Sequence, residues 1–107
     1  MDISVSDVKL YCRIDGDEED TLLASLVEAA KGYLAGAGIG DPAGEDHRYA
    51  LAVKALVLHY YDYRGLTEAP APSAIPGINN LIVQLKLDAE AERIVSADEQ
   101  LSAESGL

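Results

Sequence analysis

The chain predicts an all-α fold, a small bundle of about four helices, and three observations carry that prediction. Apolar residues recur at three- and four-residue steps in separate stretches, as one buried helix face requires. No alternating apolar run is long enough to make a sheet. Clusters of glycine and proline cut the stretches apart, so each is a separate element. With 107 residues the chain can build one compact core and is too short for two ordinary domains. Residues 1–95 are expected as a single helical domain and residues 96–107 as a flexible acidic tail.

The first helix is expected over about Val5 to Tyr11, capped by Ser4, with Asp7 at the third helical position beside the exposed amides. Asp15-Gly16 breaks it. A second helix follows from about Asp17 to Ala35, with Leu23, Leu26, Val27, Ala30, Tyr33 and Leu34 on one face. Gly36, Gly38 and Gly40 end it, because a helix cannot cheaply fix glycine backbones. After a loop through Asp41-Pro42, a third helix starts at Glu45 or Asp46 and reaches about Arg64, where Gly65 stops it. Tyr49, Val53, Leu56, Val57 and Tyr60 form one apolar stripe on it, and Leu51, Ala55 and Leu58 another. A helix apolar on so many sides is expected at the centre.

Ala69 to Gly77 reads as an extended, proline-spaced linker. The fourth helix begins near Gly77 and buries Ile78, Leu81, Ile82, Leu85 and Ala89. From Ser96 to Leu107 the sequence is acidic and rich in Ser and Ala, with too little apolar area to order itself, so it is expected as a tail or an arm that orders on a partner.

Composition narrows the function. There is no Trp and no Phe, so the core is built from Leu, Ile and Val with help from six Tyr. A formal charge of −11 repels a free polyanion and argues against wrapping nucleic acid, while remaining compatible with a passive wall past which DNA slides. Cys12 is the single cysteine, which rules out an intrachain disulfide and suits a reducing cytoplasm. Residues 1–4 do not resemble a secretory signal. The apolar stretch from Tyr49 to Tyr61 is interrupted by Lys54 and His59 and is too short to span a bilayer.

The most distinctive segment is Asp15-Gly16-Asp17-Glu18-Glu19-Asp20, in which five of six positions are acidic. Its carboxylates suit a hard cation, but a calcium loop starting at Asp15 needs glycine at its sixth position and glutamate at its twelfth. Asp20 and Leu26 stand there instead. Acids at a helix start, favoured by unpaired amides and the helix dipole, are the better account. His59 and Asp62 share a helix face, yet no nucleophile turn or oxyanion site accompanies them, so no enzyme and no cofactor are expected. His47 has still less support. Tyr60, Tyr61 and Tyr63 could be a base-stacking platform, but with Arg64 as the only adjacent cation they suit packing in the core or against another subunit. The glycines at 36, 38 and 40 follow a helix and form no phosphate loop.

Three stretches taken in order resemble the small head-tail connector (adaptor) proteins of tailed bacteriophages. The first is Val8-Lys-Leu-Tyr-Cys-Arg-Ile-Asp15 with the acid-led Leu22-Leu23-x-x-Leu26-Val27 helix that follows. The second is Ala52 to Arg64, an apolar helix closing in His59-Tyr60-Tyr61-Asp62-Tyr63-Arg64. The third is Ile75-Pro76-Gly77-Ile78-x-x-Leu81-Ile82-x-Gln84-Leu85-Lys86, where Lys86 replaces a frequent Arg. The resemblance spans roughly residues 3 to 86, and its specificity lies in the order of all three.

That resemblance implies a structural virion protein at the neck, assembled in the host cytoplasm. About a dozen copies would form a ring that joins the capsid portal to the next neck or tail-completion protein and extends the DNA channel. DNA would only pass through the lumen, and no membrane is involved. Asp15, Asp17, Glu18, Glu19, Asp20, Tyr61 and Arg64 are the expected interaction residues. The alternative from another class is a small acidic interaction module, such as a DNA mimic that occupies a partner's basic site.

Overall fold

The structure is a computed structural model that describes residues 2–42, 44–64 and 70–105, with side-chain surroundings described as far as Ala91. Among these residues there are four α-helices and no strand: α1 Val5–Cys12, α2 Asp20–Gly36, α3 His47–Asp62 and α4 Ile78–Ser105. A 3-10 turn at Pro72–Ala74 precedes α4. The expected helix stop at Gly65 and the linker start at Ala69 lie outside the described residues.

Local chemistry sets each boundary. Ser4 Oγ accepts the Asp7 amide at 3.1 Å and caps α1, as its sequence position implies. Asp46 does the same for α3, accepting the Arg48 and Tyr49 amides at 3.0 and 3.3 Å. α1 and α2 end in one way. At each, a left-handed residue turns the chain, and the following isoleucine amide reaches back five residues to a carbonyl: Ile14 to Lys9 at 3.0 Å and Ile39 to Leu34 at 2.9 Å. The left-handed residue is Gly38 after α2 but Arg13, at φ 57°, after α1.

Two boundaries depart from the sequence expectation. α2 starts at Asp20, three residues after the expected Asp17, because Gly16 takes φ 86° and the next three residues form turns closed by Asp20 N–H on Asp17 O at 3.4 Å. The proline-spaced linker is not extended throughout. Pro72 opens the 3-10 turn, where its missing amide costs nothing and its fixed φ suits the first helical position.

The core is a single aliphatic cluster arranged around α3. Tyr49, Ala50, Ala52, Val53, Leu56 and Val57 are buried on that helix, which packs against α1, α2 and α4. α2 contributes Leu23, Val27, Ala30 and Leu34, α1 contributes Val8, and α4 contributes Ile78 and Leu85. Leu26, Tyr33 and Tyr60 are only partly buried at the cluster's edge, as are Leu81 and Ile82. α4 runs past its last buried anchor without interruption to Ser105, so the backbone expected as a tail from Ser96 is an extension of this helix.

An ion-pair clasp fixes α1 against the start of α2. Lys9 Nζ donates to Asp17 Oδ1 at 2.7 Å and to Asp20 Oδ1 at 3.0 Å. Hydrogen bonding to Asp17 and then Asp20 raises the Lys9 pKa above its ordinary value, and the same bond holds the Asp17 carboxyl below the usual range.

Two outcomes follow for stability. Leu56→Ala, at a fully buried position, should lower the unfolding free energy by about 2–5 kcal/mol in urea denaturation, whereas Leu51→Ala, on the same helix but 47% exposed, should change it by less than about 0.5 kcal/mol. The clasp has a defined pH window. With the folded Asp17 pKa depressed, its stabilisation is present above the ordinary carboxylate pKa and disappears as pH falls through the folded value. With the folded Lys9 pKa raised, its own contribution is whole below the ordinary lysine value and fades only as alkaline pH passes the folded one. Lys9→Met should therefore melt below wild type at neutral pH, with the gap closing in a thermal melt series as acid protonates Asp17 through its depressed folded value.

Candidate interaction surface

The seven expected interaction residues gather at one corner, where the α1–α2 turn meets the C-terminal end of α3. Asp17 and Asp20 are held there by Lys9 from α1. Glu19 stands just before α2 and faces α3, with Arg64 Nη2 3.9 Å from its Oε1. Asp15 and Glu18 are exposed on the turn itself. Backbone folding at Gly16 thus sets Asp17, Glu19 and Asp20 beside Lys9 or Arg64, Asp17 remaining exposed, while Asp15 and Glu18 stand on the open turn.

Arg64 lies over Tyr61, its guanidinium carbon 3.9 Å from the ring centre, and donates to the Tyr61 carbonyl at 2.6 Å. The carboxylate of Glu19 completes the group. Hydrogen bonding to Glu19 pushes the Tyr61 pKa up, because ionising the phenol would place a second negative charge beside the carboxylate. A stacked, bidentate-capable arginine beside an acid and a phenol can recognise a carboxylate or a backbone carbonyl on another protein.

His59 does not pair with Asp62. Its ring is 9% exposed and its Nε2 donates to the Pro70 carbonyl at 2.8 Å, which pins the chain before α4 onto the end of α3. Tyr63 tilts against it with ring centres 5.0 Å apart, and Tyr60 meets it edge-on at 6.1 Å. Asp62 is exposed. The hydrogen bond at this helix end therefore reaches the linker instead of the neighbouring carboxylate. Cys12 is half-buried, and burial raises its thiol pKa, which disfavours the reactive thiolate. Among the described residues no three His, Cys, Asp or Glu side chains are placed to hold a metal ion, and no helix is long and apolar enough to cross a membrane.

Sequence reasoning missed two features of this surface. Lys9 was not singled out, although it is the lysine of α1 and stands just before an acidic run. The second apolar stripe of α3 was noted but not its setting: Leu51, Ala55 and Leu58 line a groove closed by Tyr11 of α1 and by Ile75 and Pro76 before α4. Such a groove depends on how the linker crosses α3, and no local spacing encodes that.

A family profile described as phage gp6-like head-tail connector protein matches residues 2–74. No curated protein and no solved structure matches the chain. The matched span contains α1, α2, α3 and the 3-10 turn, and with them Lys9, the acidic corner, the α3 ending and His59. Two of the three motifs that carried the resemblance fall inside it, and the third, from Ile75 to Lys86, lies beyond. With a small all-α bundle and a profile covering most of its length, the chain belongs to the phage gp6-like head-tail connector protein family and has a structural connector role.

Proposed function

We propose that copies of this chain assemble into a closed ring that joins the portal of the filled capsid to the next neck or tail component and continues the DNA channel. The observation that carries this reading is the family match across α1 to α3. The acidic balance agrees with it. A conduit for DNA gains from a wall that does not bind phosphate, and a subunit of charge −11 supplies one. Asp15 and Glu18, exposed on the α1–α2 turn, are suited to such a wall, and the Glu19–Tyr61–Arg64 group is suited to gripping a protein neighbour.

The C-terminal part of α4 fits the role of an arm that becomes firmly ordered on a partner, in keeping with the acidic, Ser- and Ala-rich sequence beyond Ser96. A DNA mimic is the weaker account. A mimic needs an array of free carboxylates spaced like phosphates, whereas Asp17, Asp20 and Glu19 are engaged with Lys9 and Arg64.

Light scattering with negative-stain imaging tests the ring, on the chain alone and on the chain mixed with purified portal rings. The expected result is a ring of about a dozen subunits, free or seated on the portal. A chain that stays monomeric and fails to bind portal rings at any concentration overturns the proposal.

A further inference from the structure

Residues 70–91 form one piece that is lightly joined to the rest of the fold. A run of local hydrogen bonds ties the linker to α4: Ala74 N–H to Ala71 O at 2.9 Å, Ile75 N–H to Pro72 O at 3.0 Å, Ile78 N–H to Ile75 O at 3.2 Å and Leu81 N–H to Gly77 O at 3.2 Å. The 3-10 turn packs on α4 as well. Linker and helix are thus coupled.

The body made by α1, α2 and α3 has a core of its own. Every buried apolar residue of the central cluster lies within residues 3–57, except Ile78 and Leu85. Ile75, Leu81 and Ile82 are only partly buried against it. Asp88 reaches Arg48 across the joint, but both side chains are about half exposed, so water screens the pair.

The seat of the linker is a single side chain. Among the described residues, one hydrogen bond joins residues 70–76 to the body, from His59 Nε2 to the Pro70 carbonyl at 2.8 Å. Ala71, at φ −63° and ψ 148°, is in the polyproline conformation, which has no internal hydrogen bonds, so the Pro70 carbonyl depends on a side-chain donor. Open depressions flank the contact. One of ≈ 280 Å³ lies between Tyr11, Leu58, Ile75 and the His59 ring, and one of ≈ 300 Å³ between Tyr60, Tyr63, Pro72 and the same ring. The linker therefore bridges the end of α3 at one point instead of packing along it.

Local opening is drawn from parts of a fold with few buried apolar contacts and few tertiary hydrogen bonds. We infer that the linker and α4 open from α1–α3 as one cooperative unit while the three-helix body stays folded, and that the His59–Pro70 hydrogen bond is the latch. Opening bares the side of α3 that α4 covers and frees α4 to take another angle to the body. The device is a property of the single chain and does not depend on ring assembly.

Native-state hydrogen exchange on the full chain, followed residue by residue at low urea concentrations, tests both parts. Amides of residues 81–85 should exchange through a common opening with a smaller urea slope than those of residues 27–34 in α2, because the open state exposes less surface than the unfolded chain. Val27→Ala, a cavity in the body away from α4, should speed exchange at residues 27–34 by about tenfold or more and leave residues 81–85 unchanged, since the body is folded in both the closed and the open state. His59→Ala should speed residues 81–85 by about three- to tenfold, the effect of one lost hydrogen bond, and His59→Gln, which keeps an N–H donor, should recover most of that. Asp88→Asn changes an exposed position and should speed the same amides by about twofold, without touching the buried ring. Equal urea slopes in α2 and α4, or an equal response of both to Val27→Ala, mean one cooperative fold and overturn the unit. Protection that declines steadily along α4 toward its far end and ignores His59→Ala is fraying and overturns the latch.

Discussion

The packing of α3 is the constraint on which the rest of this protein depends. Without Phe or Trp, the core volume comes from branched aliphatic side chains and Tyr49, and a fold this small has few of them to spare. Placing the most apolar helix at the centre lets α1, α2 and α4 each bury a narrow stripe against it. The arrangement has a functional corollary. A helix surrounded on three sides has its ends and one outer strip left for other work, and both the His59–Arg64 ending and the Leu51–Leu58 strip occupy those places.

Electrostatics works within that frame. Lys9, Lys31, Arg48 and Arg64 each sit beside acids: Lys9 with Asp17 and Asp20, Lys31 with Asp41 at 3.5 Å, Arg48 with Asp46 and Asp88, and Arg64 with Glu19. These pairs join neighbouring elements: α1 to the α2 turn, α2 to the loop before α3, and α3 to α4. Exposed pairs of this kind add little stability individually, so their main effect is to set how the helices meet. Four of the eight basic residues are drawn into such joints, in a chain of net charge −11.

Much of the fold was legible because its signals are local. Ser4 and Asp46 cap where their side chains can reach free amides, and the stripe from Leu23 to Leu34 follows directly from helical period. Family resemblance was also legible, since its motifs coincide with those helices. What escaped depends on how one element turns onto the next, across eight to eleven residues, and not on spacing within a helix. The delayed start of α2 depends on how Gly16 turns, the clasp on where α1 ends, and the direction of His59 on the path of the linker around Pro70. The acidic corner is marked by composition, but which of its members pair with Lys9 and Arg64 depends on the turn geometry.

Arg13 and Gly38 occupy the same left-handed place after successive helices, yet only one of them is a residue that adopts it without strain. A Cβ in that region crowds the neighbouring carbonyl oxygen and costs about 1 kcal/mol relative to glycine. The first corner of this protein thus tolerates a small, permanent deficit in backbone energy, of the size that separates many natural proteins from their more heat-resistant variants. Position 13 is thus a place where glycine would recover that energy.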